Sequence, residues 1–199
     1  MRRLSDSYDS AVAAIDAANA ADPNSISVGD TSGPLALVHG QLAAAWVWRL
    51  VAEPDEALLL AARAHHLRRW EMPRSTYPAG KGGYLRWRRD QKQRHAADIE
   101  AILVAAGYGP EFVARTQQLI RREQLASDPE TQVVEDAACL VFIETQLAAM
   151  EPRLKHAHLL DVIRKTARKM SPAGLAAVAD TDLDPRARAL LDEALSSTT

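Results

Sequence analysis

The chain has 199 residues, the length of one globular domain, and 24 basic residues against 26 acidic ones give a formal net charge of −2, so overall charge names no partner. With 47% hydrophobic and 25% charged residues it lies outside the range of disordered chains, and no apolar run reaches the roughly 18 residues that a membrane helix needs. A single cysteine, Cys139, excludes an internal disulfide and a thiolate metal cluster, and "MRRLSDSYDS" has no apolar segment behind its arginines, so the expected compartment is the cytoplasm.

Taken in chain order, helices are predicted at 5–20, 34–51, 54–70, 86–106, 110–126, 129–150, 154–170, 172–179 and 185–196. Prolines mark several starts. Asp128-Pro129, Ser171-Pro172 and Asp184-Pro185 each put a capping side chain before Pro at the first helical position, and Glu53-Pro54 and Gly109-Pro110 repeat the pattern with weaker caps. Over 129–150 the apolar residues Val133, Val134, Ala137, Leu140, Val141 and Ile143 recur at three and four, which defines one buried face. No strand is predicted. The expected fold is all-α, a compact single-domain multi-helix bundle over 1–199. Residues 21–33 read as a polar connector. Residues 71–83, "EMPRSTYPAGKGG", form a basic Pro/Gly-rich loop of a length that is often functional inside a compact domain.

The charge is uneven along the chain. Arg63 to Arg94 contains ten basic residues opposed only by Glu71 and Asp90, a local +8 that leaves −10 for the remainder. The same segment holds Trp70, Tyr77, Tyr84 and Trp87. Guanidinium groups clamp phosphates or carboxylates in bidentate fashion, and aromatic faces stack on rings. Arg68, Arg69, Trp70, Arg74, Tyr77, Lys81, Tyr84, Arg86 and Arg88 are therefore candidate contacts to an anionic ligand, and Gly80, Gly82 and Gly83 would let backbone N–H groups approach it. No Lys-Ser/Thr follows the glycines, so this is not a Walker loop. The competing reading is that these arginines pair with the acidic remainder, which would also repel a long nucleic acid.

Six histidines occur. His65 and His66 end the apolar "LLLAARAHHL", so a buried helix delivers two imidazoles toward the interior. His95 and Asp98 share a helix face, Glu123 ends "QQLIRRE", and Asp136 lies early in the 129–150 helix. Imidazoles and carboxylates on separate helices are how helical metal sites are assembled, while a hydrogen-bonded core histidine is the plainer reading of each. His39 stays open between these two. His156 and His158 read as solvated, Cys139 as packing, and Ser75 has no partner for nucleophilic chemistry.

The stretches "AARAHHLRRWEMPRSTYP", "GYLRWR", "RHAADIEAIL…GYG", "SDPETQVVEDAACLVFIE" and "KTARKMSPAG" resemble the domain of unknown function 4202 family over about 10–195. That family in turn resembles the HD-domain superfamily, helical bundles whose His, His-Asp and Asp side chains hold one or two divalent metals and hydrolyse phosphate esters. The resemblance implies that His65-His66 stands at the His-Asp doublet, His95 at an additional histidine and Glu123 at another. The closing aspartate position falls on Ala138, with Asp136 two residues, or about 200° of helix rotation, away.

It further implies metal ligands His65, His66, His95 and Asp136, catalytic roles for Asp136 and Glu123, and one divalent ion (Mn, Fe, Mg or Zn). Two functions follow as expectations. The first is a metal-dependent phosphohydrolase acting on a small phosphorylated or carboxylate ligand. The second is a metal-free module with a degenerate site that binds an anion, a nucleotide or RNA. Neither involves a membrane.

Overall fold

The computed structural model describes residues 4–29 and 31–196. The helices are α1 (Asp6–Asn19), α2 (Leu35–Leu50), α3 (Glu56–Arg63), α4 (Gly80–Ala105), α5 (Pro110–Arg121), α6 (Pro129–Met150), α7 (His156–Ala167), α8 (Pro172–Ala177) and α9 (Pro185–Ser196). The fold is the expected all-α one with a single addition. Residues 25–34 form an antiparallel hairpin, β1 (Ser25–Val28) and β2 (Thr31–Pro34), paired from Ser25↔Pro34 to Val28↔Thr31. Four-residue polar strands carry too little alternation to register as strands in the sequence. Their connection begins with Gly29 at φ +53°.

Capping side chains explain several of the starts. Ser5 accepts from the Tyr8 amide, Asp55 from Leu58, Asp128 from Glu130 and Thr131, and Ser171 from Gly174. α5, α6 and α8 begin on proline as the sequence indicates.

The packing is organised around α3 and α6. Every residue of α3 from Ala57 to Ala62 is buried, with α1, α2, α5 and α6 closing around it. α6 lies along α2, α3 and α5 and also packs against α7, α8 and α9. The interior is aliphatic, with Leu58, Leu59, Leu60, Leu67, Ile99, Leu103, Leu119, Ile120, Leu140 and Leu147 fully buried and Trp46 beside them. Trp46 donates its indole N–H to Glu144 at 2.9 Å, which satisfies the one polar atom it takes inward.

Three boundaries differ by five residues or more from the predicted ones. One is the end of the helix expected over 110–126, which stops at Arg121 before Arg122 takes φ 61°. The helix expected over 54–70 stops at Arg63, and the chain turns through 64–68 to Arg68, whose φ is 50°. Asn19 accepts the Arg68 amide at 3.1 Å and fixes that turn. Downstream, α4 begins at Gly80 rather than near 86, so the loop is shorter than its glycines imply. Its carbonyls are gathered by Arg74, which donates to Tyr77 O (2.9 Å), Pro78 O (2.8 Å) and Gly80 O (3.4 Å). Gly83 packs so closely that a Cβ there would lie 1.9 Å from Pro78 O, so this helical position must be glycine.

A second close approach sets the crossing of α2 on α3. A Cβ on Gly40 would lie 2.5 Å from the Arg63 carbonyl, so only glycine allows the two backbones to meet beside His39. Gly40→Ala is expected to destabilise the protein by about 1–3 kcal/mol through overpacking. For a chain of this size that lowers Tm by about 3–10 °C in a thermal melt.

Candidate functional site

The early end of α3 creates the site. Because α3 is buried on all sides, the turn after it puts His65 and His66 inside the molecule, where His95 from α4 and His39 from α2 meet them. Ring centroids are 4.0 Å apart for His65–His66, 5.3 Å for His39–His66 and 6.3 Å for His66–His95. His39, His65 and His95 are buried, and His66 is half-buried.

Hydrogen bonds assign the ring protons. His65 Nδ1 donates to Ala62 O at 2.8 Å and His95 Nδ1 to Leu67 O at 2.7 Å. Thr145 Oγ1 gives its single proton to Val141 O at 2.6 Å, so His39 Nε2–H donates to Thr145 Oγ1 at 3.1 Å. His39 Nδ1 then accepts from His66 Nδ1–H, also at 3.1 Å. His65, His66 and His95 are all left as Nδ1–H tautomers with an open lone pair on Nε2. The Nε2 atoms of His65 and His95 are buried without any partner. Burial, reinforced by Arg69, pushes His39 down to about 4 and His95 down to about 3. Burial, with neighbouring cations, holds His65 and His66 well below the ordinary range. All four rings are neutral at physiological pH.

Beside them lies a group of cations. The Arg69 guanidinium stacks on the Trp87 ring at 4.5 Å, and Arg88 lies 5.9 Å from the Tyr84 ring. Arg122, in the left-handed turn that ends α5, donates to Glu135 at 3.2 Å and to Ile120 O at 2.8 Å. Lys92 and Lys169 complete the group around Glu135. Burial pushes the Lys92 ammonium down to about 8, with Arg122, Arg88 and Lys169 adding to the effect and Glu135 opposing it. Burial also lowers Arg69 and Arg122. Burial acts to raise the Glu135 carboxyl, yet Arg122, Lys92, Lys169 and Arg88 together hold it below its ordinary value. Arg88, Lys92, Arg122 and Lys169 thus share one carboxylate, with Arg69 next to Arg88, and of these five cations only Arg122 has an ion-pair partner among the described residues.

The candidate residues of the basic segment divide. Arg69 and Arg88 belong to this group. Arg68 gives its backbone amide to Asn19, the Arg74 guanidinium is spent on loop carbonyls, and Tyr77 on Asp90 (3.1 Å) and Met72 Sδ (3.2 Å). Trp70 is half-buried, Lys81 and Arg86 are exposed, and Tyr84 is 44% exposed next to Arg88. Asp98 faces Arg94 at 3.5 Å. His156 is exposed and paired with Glu193, and burial pushes the Cys139 thiol up to about 12.

The carboxylates go elsewhere. Asp136 Oδ1 accepts from Gln132 Nε2 and the Ser171 amide (both 2.9 Å), and Oδ2 accepts from Ser171 Oγ at 2.5 Å. Glu123 is exposed and accepts from Arg121 at 2.6 Å. Sequence reasoning passed over Arg122, Glu135, Lys92 and Lys169 and left His39 open. The double arginine ending the apolar "QQLI" was the available signal, since a charge at the end of a buried helix must find a partner inside.

A divalent ion is half accommodated. The unpartnered Nε2 atoms of His65 and His95, each with Nδ1 held by a carbonyl, are oriented as imidazole ligands are. The rest of the donor set does not fit. His66 offers no carboxylate, Asp136 is saturated by Ser171 and Gln132, and the surrounding arginines oppose a further positive charge. Among the described residues no three His, Cys, Asp or Glu side chains are grouped to hold a metal. The residues as they stand do not fit the HD-type metal centre.

The chain matches the family described as Domain of unknown function (DUF4202) over residues 9–191. No curated protein and no solved structure matches it.

The neutral histidines make stability depend on pH. Their folded values lie below the ordinary 6.5, so between about pH 6.5 and about 4 the unfolded chain binds more protons, and stability falls as pH falls. Each such histidine contributes a slope of about 1.4 kcal/mol per pH unit in that window. His95→Gln keeps a donor for Leu67 O and removes one titrating group, so urea unfolding at pH 7 and pH 5 should differ less for the variant than for the parent.

Proposed function

For this chain, which belongs to the Domain of unknown function (DUF4202) family, we propose the binding of a small phosphorylated ligand, held without a metal by Arg69, Arg88, Lys92, Arg122 and Lys169 beside the histidine cluster. One observation carries this reading: four half-buried cations, Arg88, Lys92, Arg122 and Lys169, share the single carboxylate of Glu135, with Arg69 next to Arg88. Burial first, and then the neighbouring Arg122, Arg88 and Lys169, lower the Lys92 ammonium, with Glu135 opposing them. An anion with two or more charges would offset that excess of positive charge, and guanidinium forks match phosphate oxygens. The half-exposed Tyr84 ring next to Arg88 offers a flat face to the organic part of such a ligand. No helix among the described residues is long and apolar enough to cross a membrane, so the binding reading needs no membrane partner.

A metal-dependent phosphohydrolase of HD-like type is the second reading, favoured by the two unpartnered Nε2 atoms. That reading requires His65, His66 and His95 to hold a divalent ion, which the donor set described above does not fit. Asp136 and Glu123 would have to leave their present partners to take part. Elemental analysis of protein purified without chelator or His-tag decides between the two. The anion reading expects no stoichiometric metal, whereas about one divalent ion per chain would establish the second.

The anion reading is tested by thermal melts with inorganic phosphate, pyrophosphate and nucleoside monophosphates. A ligand at 100 times its Kd stabilises by about 2.7 kcal/mol, or about 5–10 °C here. Arg88→Ala is expected to leave Tm of the free protein unchanged or raised, because a repelling charge is removed, and to cut the phosphate shift by more than half. A panel of anions that moves Tm by no more than chloride does overturns the reading.

A further inference from the structure

Helix α4 turns an unpartnered face to solvent. Leu85, Arg86, Arg89, Ala97, Glu100 and Val104 are all exposed, and at about 100° per residue they fall within about 120° of the helix circumference. Leu85 (54%) and Val104 (60%) are the two most exposed large apolar side chains among the described residues. Next to Val104 along the helix, α4 and α1 border a shallow apolar groove lined by Ala14, Ala101, Ile102 and Ala105. Large apolar groups gathered on one exposed face mark a contact surface. The charges of this face are sorted along the helix, with Arg86 and Arg89 in its first half and Glu100 in its second. Arg86 has no ion-pair partner among the described residues, and Arg89 meets its own neighbour Asp90 at 3.0 Å. Glu100 accepts from the neutral Gln117 side chain at 3.1 Å.

The face is complementary to its own reverse. Leu85 and Val104 stand equally far, about 14 Å, on either side of the point between Arg94 and His95, and Arg89 and Glu100 stand about 8 Å on either side of it. We propose that the chain forms a two-fold symmetric dimer through antiparallel α4 helices, with Leu85 against Val104 of the partner subunit and Arg89 against Glu100 of the partner subunit. Arg86, one turn before Arg89, reaches the same carboxylate. Ala97, close to the two-fold axis, has no side chain beyond Cβ to hold the two backbones apart. A parallel pairing would set arginine against arginine. A nucleic acid would engage the arginine end alone and leave Val104 in water, so a second copy of this face is the partner that accounts for both ends. The dimer does not depend on what the cationic group binds.

The test is sedimentation equilibrium of the full, untagged chain. A contact made by one helix pair is small, so a Kd on the order of 1–100 μM is expected. At about 300 μM chain the mass should rise toward twice 21.7 kDa, and at about 1 μM it should fall toward that of one chain. Val104→Glu, at an exposed position, should keep the helical circular dichroism spectrum and leave a monomer at both concentrations. Arg89→Glu and Glu100→Arg each bring like charges together across the interface and should weaken the dimer at least about tenfold. Mixed in equal amounts, these two variants put opposite charges together at both positions. The mixture should therefore dimerise as the parent does, while neither variant does so alone.

A one-chain mass for the parent at the higher concentration overturns the proposal. So does a dimer that Val104→Glu or either charge variant leaves intact, since the contact then lies on another surface. A mixture of the two charge variants that stays monomeric, with the helical spectrum of each preserved, overturns the antiparallel register and the proposal with it.

Discussion

Helix α3 has no solvent face between Ala57 and Ala62, so α1, α2, α5 and α6 must close around it and the residues at its end cannot remain in water. Arg63, the last helical residue, is met by Asp16 of α1, with Nε 2.8 Å from Oδ1. The next turn has no such exit for its side chains. His65 and His66 stay inside, and the turn is held by Asn19 and by the packing of Leu67. The cluster of imidazoles is thus a consequence of burying α3, and Gly40 is the concession in α2 that lets His39 join it.

Polar satisfaction around that buried turn is incomplete in a patterned way. Each imidazole has its Nδ1 side occupied by a carbonyl or another ring, while Nε2 of His65 and His95 is left open. A buried acceptor without a donor costs about 1–3 kcal/mol. Next to these open lone pairs stand cations that outnumber their carboxylate. Both departures from a fully satisfied core occur in one place, where α4, α6 and the ends of α3 and α5 meet, which is how a site differs from a structural interior.

Asp136 illustrates how position in the chain and position in space separate. It falls close to the place where the family resemblance calls for a metal-binding aspartate, yet its carboxylate caps Ser171 and packs against Gly174, where a Cβ would lie 2.6 Å from Asp136 Cγ. Gln132 ties the same carboxylate to the Lys169 carbonyl at 2.8 Å. The effect is to fix the turn from α7 to α8, and with it Lys169, against α6. The Asp136 carboxylate is thus spent on that turn, with Ser171 and Gln132 as its partners. Arg74 is a parallel case: its charge gathers the loop carbonyls that its own segment leaves unpaired.

Local chemistry is what the sequence by itself determined. Proline and capping side chains act within a few residues, so the starts of α5, α6 and α8 and the all-α class were legible. The apolar face of α6 and the inward delivery of His65 and His66 were legible too, because helical periodicity is local. The end of α3 was not, since it depends on Asn19 from α1. Nor was the start of α4, which depends on Gly83 meeting Pro78 and on Arg74 crossing the loop. The tertiary structure alone decided which charges remain uncompensated. Arginines that look alike in the segment from Arg63 to Arg94 pair with Asp16, Glu71 or loop carbonyls in some cases and stand open at Arg69 and Arg88 in others. Arg122, Lys92, Lys169 and Glu135 come from separate stretches of chain and acquire their role only by being buried together. Electrostatic strain is a property of distance and desolvation, and neither is written in residue order.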